Sequence, residues 1–352
     1  MQITKVHHIY NRIRRQALSH VVITRIFIGF ILSLILIGGW FVFQKPAQQV
    51  LTGLGLVAGK PLPSSSGRVN FVLLGSGGEG HDGPDLTDTI IFISTKVETG
   101  ETTLISIPRD MWIPSLRAKI NSAYYYGFAK QATSGGMLLA KSAISESINQ
   151  PVHFAVKLDF STFSKFIDAM GGIDITVDQA FDDYKYPIPG KENEICSPAD
   201  EEFLCRYEHI RFESGPQHMD GDTALKFVRS RHSENLDEGT DFSRSRRQTK
   251  VISAIKAKLT SIENLKNTGL YKQLYDIVLT GVVTDITPEY YSTLFQLGLK
   301  VRKHPLATYT LSSPDQLENP PSSSKYDYQW VLIPKKNDSS ALFEYVTGLL
   351  NR

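Results

Sequence analysis

Residues Ile26 to Phe43, IFIGFILSLILIGGWFVF, carry no charge. An apolar run of about 18 residues suffices to cross a bilayer as a helix. Such a segment constrains everything attached to it, because only a helix or a closed barrel satisfies its own backbone groups in lipid. Lys5, Arg12, Arg14, Arg15 and Arg25 precede the run, and the first acidic residue is Glu79. The positive-inside tendency puts the basic tail, residues 1–25, in the cytoplasm and the remainder outside. Trp40 and Phe41 suit the outer interface. No small-residue cleavage site follows Phe43, so residues 26–43 read as an uncleaved signal-anchor and not as a removed signal peptide. The expectation is a single-pass protein of the cell membrane with its main domain extracytoplasmic.

Residues 44–68, rich in Gly, Pro and Ser, read as a stalk. The domain proper is expected over 69–352. Its composition is that of a globular protein, and the net charge of +2 over 352 residues gives no reason to expect a nucleic-acid partner. The two cysteines, Cys196 and Cys205, close the segment CSPADEEFLC. In an oxidising compartment they are expected to form a structural disulfide.

VNFVLLG (69–75), TDTIIFIST (87–95) and ETTLISIP (101–108) are apolar runs of strand length. KVETG joins the last two as a hairpin turn. Residues 119–127 read as a polar-aromatic loop, 137–148 as a helix, 152–159 as a strand, 160–170 as a helix and 173–177 as a strand. A long excursion over 178–219 carries the cysteines on a hairpin-like arm. Further strands are expected at 282–286, 307–312 and 328–334, and helices at 288–297 and 339–350. Strands alternating with helices give an α/β class, a mixed central sheet with helices on both faces.

Two stretches carry chemistry. SGGEGHDGPDL lies after the first strand, at the sheet edge where open α/β folds place their ligands. It lacks the GK[ST] of a P-loop. Its acidic groups, Glu79, Asp82, Asp85 and Asp88, suit a hard divalent cation. Arg109 ends the third strand and projects from the same edge if the register allows. The second stretch, Asp220 to Gln248, holds Arg229, Arg231, Arg244, Arg246 and Arg247. A helix reading DFSRSRRQTKVISAIKAKL starts at Asp241, whose short side chain suits an N-cap. Arg244, Arg247 and Gln248 fall at i, i+3 and i+4, on the face that continues through Val251, Ile252, Ile255 and Leu259. Arginines so phased point inward and need an anion, for which phosphate is the usual partner. Arg246 lies on the opposite, solvated face.

Several segments in order then resemble the LytR-CpsA-Psr family. They are Leu74-Gly75-Ser76, Thr87-Asp88-Thr89, Ile105 to Asp110, Lys119-Ile120-Asn121, Gly171 to Asp174, Asp220-Gly221 with Ala224-Leu225, Val228 to Arg231, and Asp241-Phe242 with Arg244 and Arg247-Gln248. Together they run over residues 69–300. The resemblance implies an enzyme that moves a phosphorylated glycan from a polyprenyl pyrophosphate carrier to a peptidoglycan hydroxyl, or to a protein acceptor. It implies pyrophosphate binding by Arg109, Arg229, Arg231, Arg244 and Arg247, with Gln248 beside them. It implies a magnesium (or manganese) ion at Asp88, and Asp241 as the acid that activates the acceptor hydroxyl with Arg109 in the catalytic set. The chain departs from the family at Gly77, where an aspartate is usual. Asp82, Asp85 or Glu79 then stands in as metal ligand, with His81 secondary. Helices at 137–148 and 160–170 are candidates for an apolar tunnel, though plain core is the commoner use of such faces. Two other readings use the same residues: a polyprenyl-pyrophosphate phosphatase, and a non-catalytic glycolipid-binding regulator, which the change at Gly77 favours.

Overall fold

Alternation of apolar residues along the central strands decides which faces are covered. The computed structural model describes residues 59–352, except 82, 192, 198–199, 201, 234, 236, 262–266 and the side chains of Asp241, Phe242 and Thr268. The anchor expected at 26–43 lies outside these residues. Among the described residues, no helix is long and apolar enough to cross a membrane. The described residues group into two units, 59–60 with 288–295 and 61–287 with 296–352. In the smaller unit, Lys60 N–H donates to the Glu289 carbonyl at 2.9 Å, and its ammonium meets the Glu289 carboxylate at 3.0 Å.

The larger unit is built on a sheet of six strands: β1 (Arg68–Ser76), β2 (Thr87–Lys96), β3 (Thr102–Ser106), β6 (Phe154–Asp159), β11 (Val282–Thr284) and β12 (Leu306–Thr310). Their order is β11-β6-β1-β2-β3-β12. β1 runs parallel to β6, and β3 parallel to β12, while β1–β2, β2–β3 and β6–β11 are antiparallel. The sheet is therefore mixed, as the alternating pattern predicts. Arg68, assigned to the stalk by its Gly/Ser neighbours, instead opens β1. It is buried, and its Nε donates to Ser94 Oγ at 2.7 Å.

On one face Val72, Leu74, Ile90, Phe92 and Ile105 pack under α1 (Ala123–Lys130), α2 (Gly135–Ile148) and α8 (Ser339–Leu350). Residues 119–127 are thus not a loop. A short hairpin, β4 (Trp112–Ile113) with β5 (Ala118–Lys119), and a 3-10 turn lead into α1, which packs on α2 where Gly127 and Gly135 cross. A Cβ on either glycine would collide with the other's carbonyl, so the crossing needs both. Packing of this kind overrides the weak helix propensity of three consecutive tyrosines. Met137, Ala140 and Ile144 of α2 belong to this core.

The next residues along β2 and β3, Thr89 and Ser106, face the other side. There Thr89 Oγ1 accepts from Gln248 Nε2 at 3.0 Å, and Ser106 Oγ meets Ser245 Oγ at 3.1 Å. Both partners lie on α5 (Asp241–Leu259), so helices do cover both faces. A second core joins α5 to α3 (Phe160–Ala169), α4 (Gly221–Arg229) and α6 (Thr268–Gly281). Its centre includes Ile167, Ile173, Phe181, Phe227 and Val251. Helix α6 was not anticipated. The remaining helix, α7 (Tyr291–Val301), follows a 3-10 turn at Pro288. The excursion over 178–219 is an arm of β8 (Phe181–Pro187) and β9 (Tyr207–Phe212), closed by a Cys196–Cys205 disulfide with Cα atoms 5.8 Å apart. β10 (Gly215–Met219) returns to pair with β7 (Ile173–Val177). The strand expected over 328–334 shrinks to a pair at Ile333–Pro334, because Asp327 and Tyr328 take left-handed φ angles of 49° and 57°.

Helix α5 is capped by Thr240 and not by Asp241. Thr240 Oγ1 accepts from Ser243 N–H, and Ser243 Oγ accepts from Thr240 N–H, both at 3.1 Å. This reciprocal box leaves Asp241 as the first helical residue, where a negative charge suits the helix dipole. Six residues further along the helix, Arg247 is buried. Its Nε donates to the Phe227 carbonyl at 2.8 Å, its Nη1 to the Glu238 carboxylate at 2.6 Å, and its Nη2 to the Ser230 carbonyl. Burial pulls the guanidinium below the usual arginine range, and Glu238 pushes it back. Arg246, by contrast, keeps a 44% exposed side chain while reaching the other Glu238 oxygen at 2.9 Å.

Removing one partner of a buried pair strands the other charge. Arg247→Met should therefore cost about 3–5 kcal/mol in urea unfolding. Arg246→Met should cost less than about 1 kcal/mol. Equal losses for the two variants would show that the buried clamp is not what holds this corner.

Candidate active site

The edge where β1, β3, β6 and β12 end and β2 begins carries the candidate site. Ser76 pairs with Thr87 and Gly75 with Thr89, so Asp88 is the extra residue of a β-bulge. A bulge re-aims a side chain out of the ladder. Here Asp88 meets Arg109, whose Nη1 donates to Asp88 Oδ1 at 2.7 Å. Arg109 follows Pro108, and its carbonyl accepts from Asn121 N–H at 3.3 Å. Asp110 then takes Lys119 Nζ at 2.7 Å. Asp88, Arg109, Asp110 and Lys119 thus form a row of alternating charge, and the register that the sequence left open does bring Asp88 and Arg109 together.

Asp88 and Arg109 of this row border a cleft of about 210 Å³. Arg109 and Asp88 stand on the sheet side. Arg244, Ser245 and Gln248 stand on the α5 side. Ile90, Ile107 and Leu311 add apolar wall, and Ser312, Ser313, Asn319 and Trp330 close the remaining side. Arg244 is 9% exposed. The helical phasing therefore places Arg244 and Gln248 correctly, but the face is wide and Arg247 falls on its far border. There it turns to Glu238 and stacks over the Phe181 ring at 4.7 Å. The anion that its inward phasing demands is a carboxylate of the same chain.

Arg229 and Arg231 stand apart from this cleft's lining. The Arg229 guanidinium lies 4.2 Å over the Phe160 ring and donates to Tyr186 Oη at 3.1 Å. Phe160 in turn meets His81 edge-on at 5.4 Å, so Arg229 adjoins the loop after β1. Burial raises the Tyr186 phenol above its usual range. The backbone around Arg231 is held by Asp183, fully buried, which accepts from Ser230 Oγ at 2.7 Å and from the N–H groups of Arg231 and His232 at 3.1 and 3.2 Å.

The acidic loop behaves differently from its sequence. Gly78 has a φ of +80°, and a Cβ there would press on Asp159. Asp85 pairs with Lys157 Nζ at 3.0 Å, and that ammonium lies 4.6 Å over the Tyr124 ring. Lys157 is only 9% exposed, and the Asp85 carboxylate is its anionic partner. Asp82 lies outside the described residues, and Glu79 is exposed. Among the described residues, three potential ligand groups come within reach of one ion only at Cys196, Asp200 and Cys205, where the sulfurs form the disulfide. The carboxylate left at the cleft is Asp88, whose side chain is 39% exposed. One carboxylate fits magnesium or manganese when phosphate oxygens supply other ligands, because magnesium usually binds through one or two carboxylates plus substrate.

Sequence reasoning missed Lys157, Ser245 and the wall from Thr310 to Trp330. Lys157 breaks the apolar run of its strand, a signal that was available. The 310–332 wall comes largely from the Pro/Ser-rich segment between the strands expected at 307–312 and 328–334, which carries no periodic signal.

The sequence model of the LytR_cpsA_psr family matches residues 47–337. A curated relative from Oceanobacillus iheyensis, named polyisoprenyl-teichoic acid–peptidoglycan teichoic acid transferase TagU, is 30% identical over 231 residues, 64% of this chain and 61% of that protein. A relative of the same name from Enterococcus faecalis is 25% identical over 62% of this chain and 61% of its own length. The matches thus span about three fifths of these relatives. The crystal structure of B. subtilis TagV shares the fold with a TM-score of 0.55 and 19% identity, over 82% of this chain and 99% of that one. The structure of TagT bound to LI-WTA does so with a TM-score of 0.52 and 18% identity, over 83% and 93%. With one family model covering residues 47–337, this chain belongs to the LytR_cpsA_psr family.

Proposed function

We propose that the chain transfers a phosphorylated glycopolymer from a polyprenyl pyrophosphate carrier to a peptidoglycan hydroxyl, as the names of its curated relatives suggest. The observation that carries this reading is the cleft with Arg109 and Arg244 on facing walls and Asp88 between strand and solvent. Phosphoryl transfer needs charge neutralisation and positioning more than covalent help from the protein. Two guanidinium groups offer fixed forks to phosphate oxygens and stay charged at any working pH.

The acceptor oxygen attacks the phosphorus that carries the glycan, forming the new phosphodiester bond. The bond from that phosphorus to the bridging oxygen breaks, and polyprenyl phosphate leaves. The acceptor proton passes to a base. Asp241 is the residue we assign, since it opens α5 three positions before Arg244. Arg109 steadies the charge that builds on the phosphate oxygens, and Gln248 is fixed to Thr89 beside it. Arg229 and Arg231, one element away, are assigned to the carrier's outer phosphate or its glycan. A magnesium or manganese ion, held by Asp88 and by pyrophosphate oxygens, would supply further charge neutralisation. We place the domain outside the cell membrane on the apolar segment 26–43, which would keep the lipid carrier within reach.

Arg109→Ala and Arg244→Ala should each lower kcat about 10²–10³-fold while the chain remains folded, measured with a lipid-linked pyrophosphate glycan and peptidoglycan. Polyprenyl phosphate release at the wild-type rate in both variants would sink the proposal. Release without glycan joined to peptidoglycan would make the chain a hydrolase instead. For the metal, calorimetry should show weaker binding of a short prenyl pyrophosphate in chelator, restored by magnesium or manganese. That dependence should vanish in Asp88→Asn and persist in Asp85→Asn. Identical binding with and without chelator would mean that the arginines alone balance the charge.

A further inference from the structure

The wall of the cleft that follows β12 includes a tryptophan, Trp330. Trp330 is 55% exposed, while the residues after it, Val331, Leu332 and Ile333, are buried. The other described tryptophan, Trp112, is buried against Tyr326. Trp330 lines the same cleft as Arg109 and Arg244.

Its backbone is held in place. Leu332 N–H donates to the Asp110 carbonyl, and Trp112 N–H to the Leu332 carbonyl, both at 2.9 Å. Asn319 Nδ2 donates to the Val331 carbonyl at 2.7 Å. The segment is thereby tied to the loop that carries Arg109. On its other side Tyr328 holds a φ of 57°, uncommon for a bulky residue, and its N–H donates to the Ser323 carbonyl at 3.0 Å. Such a conformation persists where the surroundings over-determine it. A large aromatic ring is therefore presented from a rigid support at the cleft rim. The cleft lining also includes Ser312, Ser313 and Asn319, neutral hydroxyls and an amide, with the Ser312 hydroxyl donating to Asp315 Oδ2 at 3.0 Å and so left as an acceptor. Neutral hydrogen-bonding groups next to an aromatic face are what a pyranose ring requires: its C–H face packs on the ring and its hydroxyls meet the amide and hydroxyls. A phosphate would call for cations there, and the cations of the lining are Arg109 on the sheet side and Arg244 on the α5 side.

We propose that Trp330 is a stacking platform for a pyranose ring, positioning a saccharide over the Arg109–Arg244 cleft. The proposal deepens the transferase reading and rests on it for the identity of the sugar, which belongs to the donor glycan or to the peptidoglycan acceptor. Trp330 is a positioning residue and takes no part in bond breaking.

The full-length chain in detergent provides the test. Trp330→Ala should raise KM about 10-fold for one saccharide substrate and leave kcat within about 2-fold, and Trp330→Phe should restore most of the affinity. A rise for the lipid-linked donor assigns the ring to the donor glycan, and a rise for the acceptor assigns it to peptidoglycan. Tryptophan fluorescence gives a readout that needs no turnover. A soluble N-acetylglucosamine–N-acetylmuramic acid oligosaccharide, or a short-chain lipid-linked sugar pyrophosphate, should shift the emission of the wild type and not that of Trp330→Phe. A shift in a chain that shows no transfer would retain the platform and discard the transferase reading. Unchanged KM values together with no shift from either saccharide would overturn the platform. So would an equal shift from a prenyl phosphate without sugar, which would make Trp330 part of a lipid surface.

Discussion

Arg247 and Glu238 form a buried pair on which the α5 side of the cleft depends. One guanidinium satisfies the carbonyl of Phe227 in α4, the carbonyl of Ser230 just after it, and the carboxylate of Glu238 in the following loop. Those three points fix the path from α4 to the start of α5. The Thr240–Ser243 box then sets where α5 begins. Once that start is fixed, helical geometry alone carries Arg244, Ser245 and Gln248 onto the cleft. Two desolvated charges cost free energy unless geometry and extra hydrogen bonds compensate them, and here the backbone carbonyls supply the extra bonds.

The sheet side of the cleft relies on an irregularity. A regular β2 would pair Asp88 into the ladder. The bulge at Gly75–Ser76 leaves it unpaired in register and turns it toward Arg109. Asp85, three residues earlier, is drawn to Lys157. The two aspartates read alike in the sequence, as members of one acidic loop. Their partners separate them: one stays at the cleft edge with a carboxylate open to solvent, and the other neutralises an ammonium under Tyr124. That ammonium sits on β6 opposite Leu74 of β1.

The sheet, the helices on both faces, the hairpin between β2 and β3 and the disulfide arm were legible from apolar periodicity, turn residues and cysteine spacing. Helix α1 was not, because Tyr124, Tyr125 and Tyr126 favour extended structure, and only the Gly127–Gly135 crossing makes a helix the better solution. The strand expected through Trp330 failed because consecutive left-handed residues at Asp327 and Tyr328 break the extension, and neither is a glycine that would signal it. Among the residues that line the cleft, Arg109, Asp88, Arg244 and Gln248 stand out in the sequence by spacing and motif. Ser312, Ser313, Asn319 and Trp330 do not, since a late segment brings them there by folding back onto the loop of Asp110.

By itself, the sequence determined the strand faces, the inward phase of α5 and the concentration of arginine near its start. These depend on periods of two and 3.6 residues, which are local. It also carried the ordered motifs that identify the family. Only the tertiary structure decided which arginine meets the cleft and which meets a carboxylate of the chain. Arg244 and Arg247 are one helical turn apart and the same residue type. The difference between them is the position of Glu238, fixed by contacts among α4, the loop and α5, and long-range packing of that kind leaves no periodic trace in a sequence.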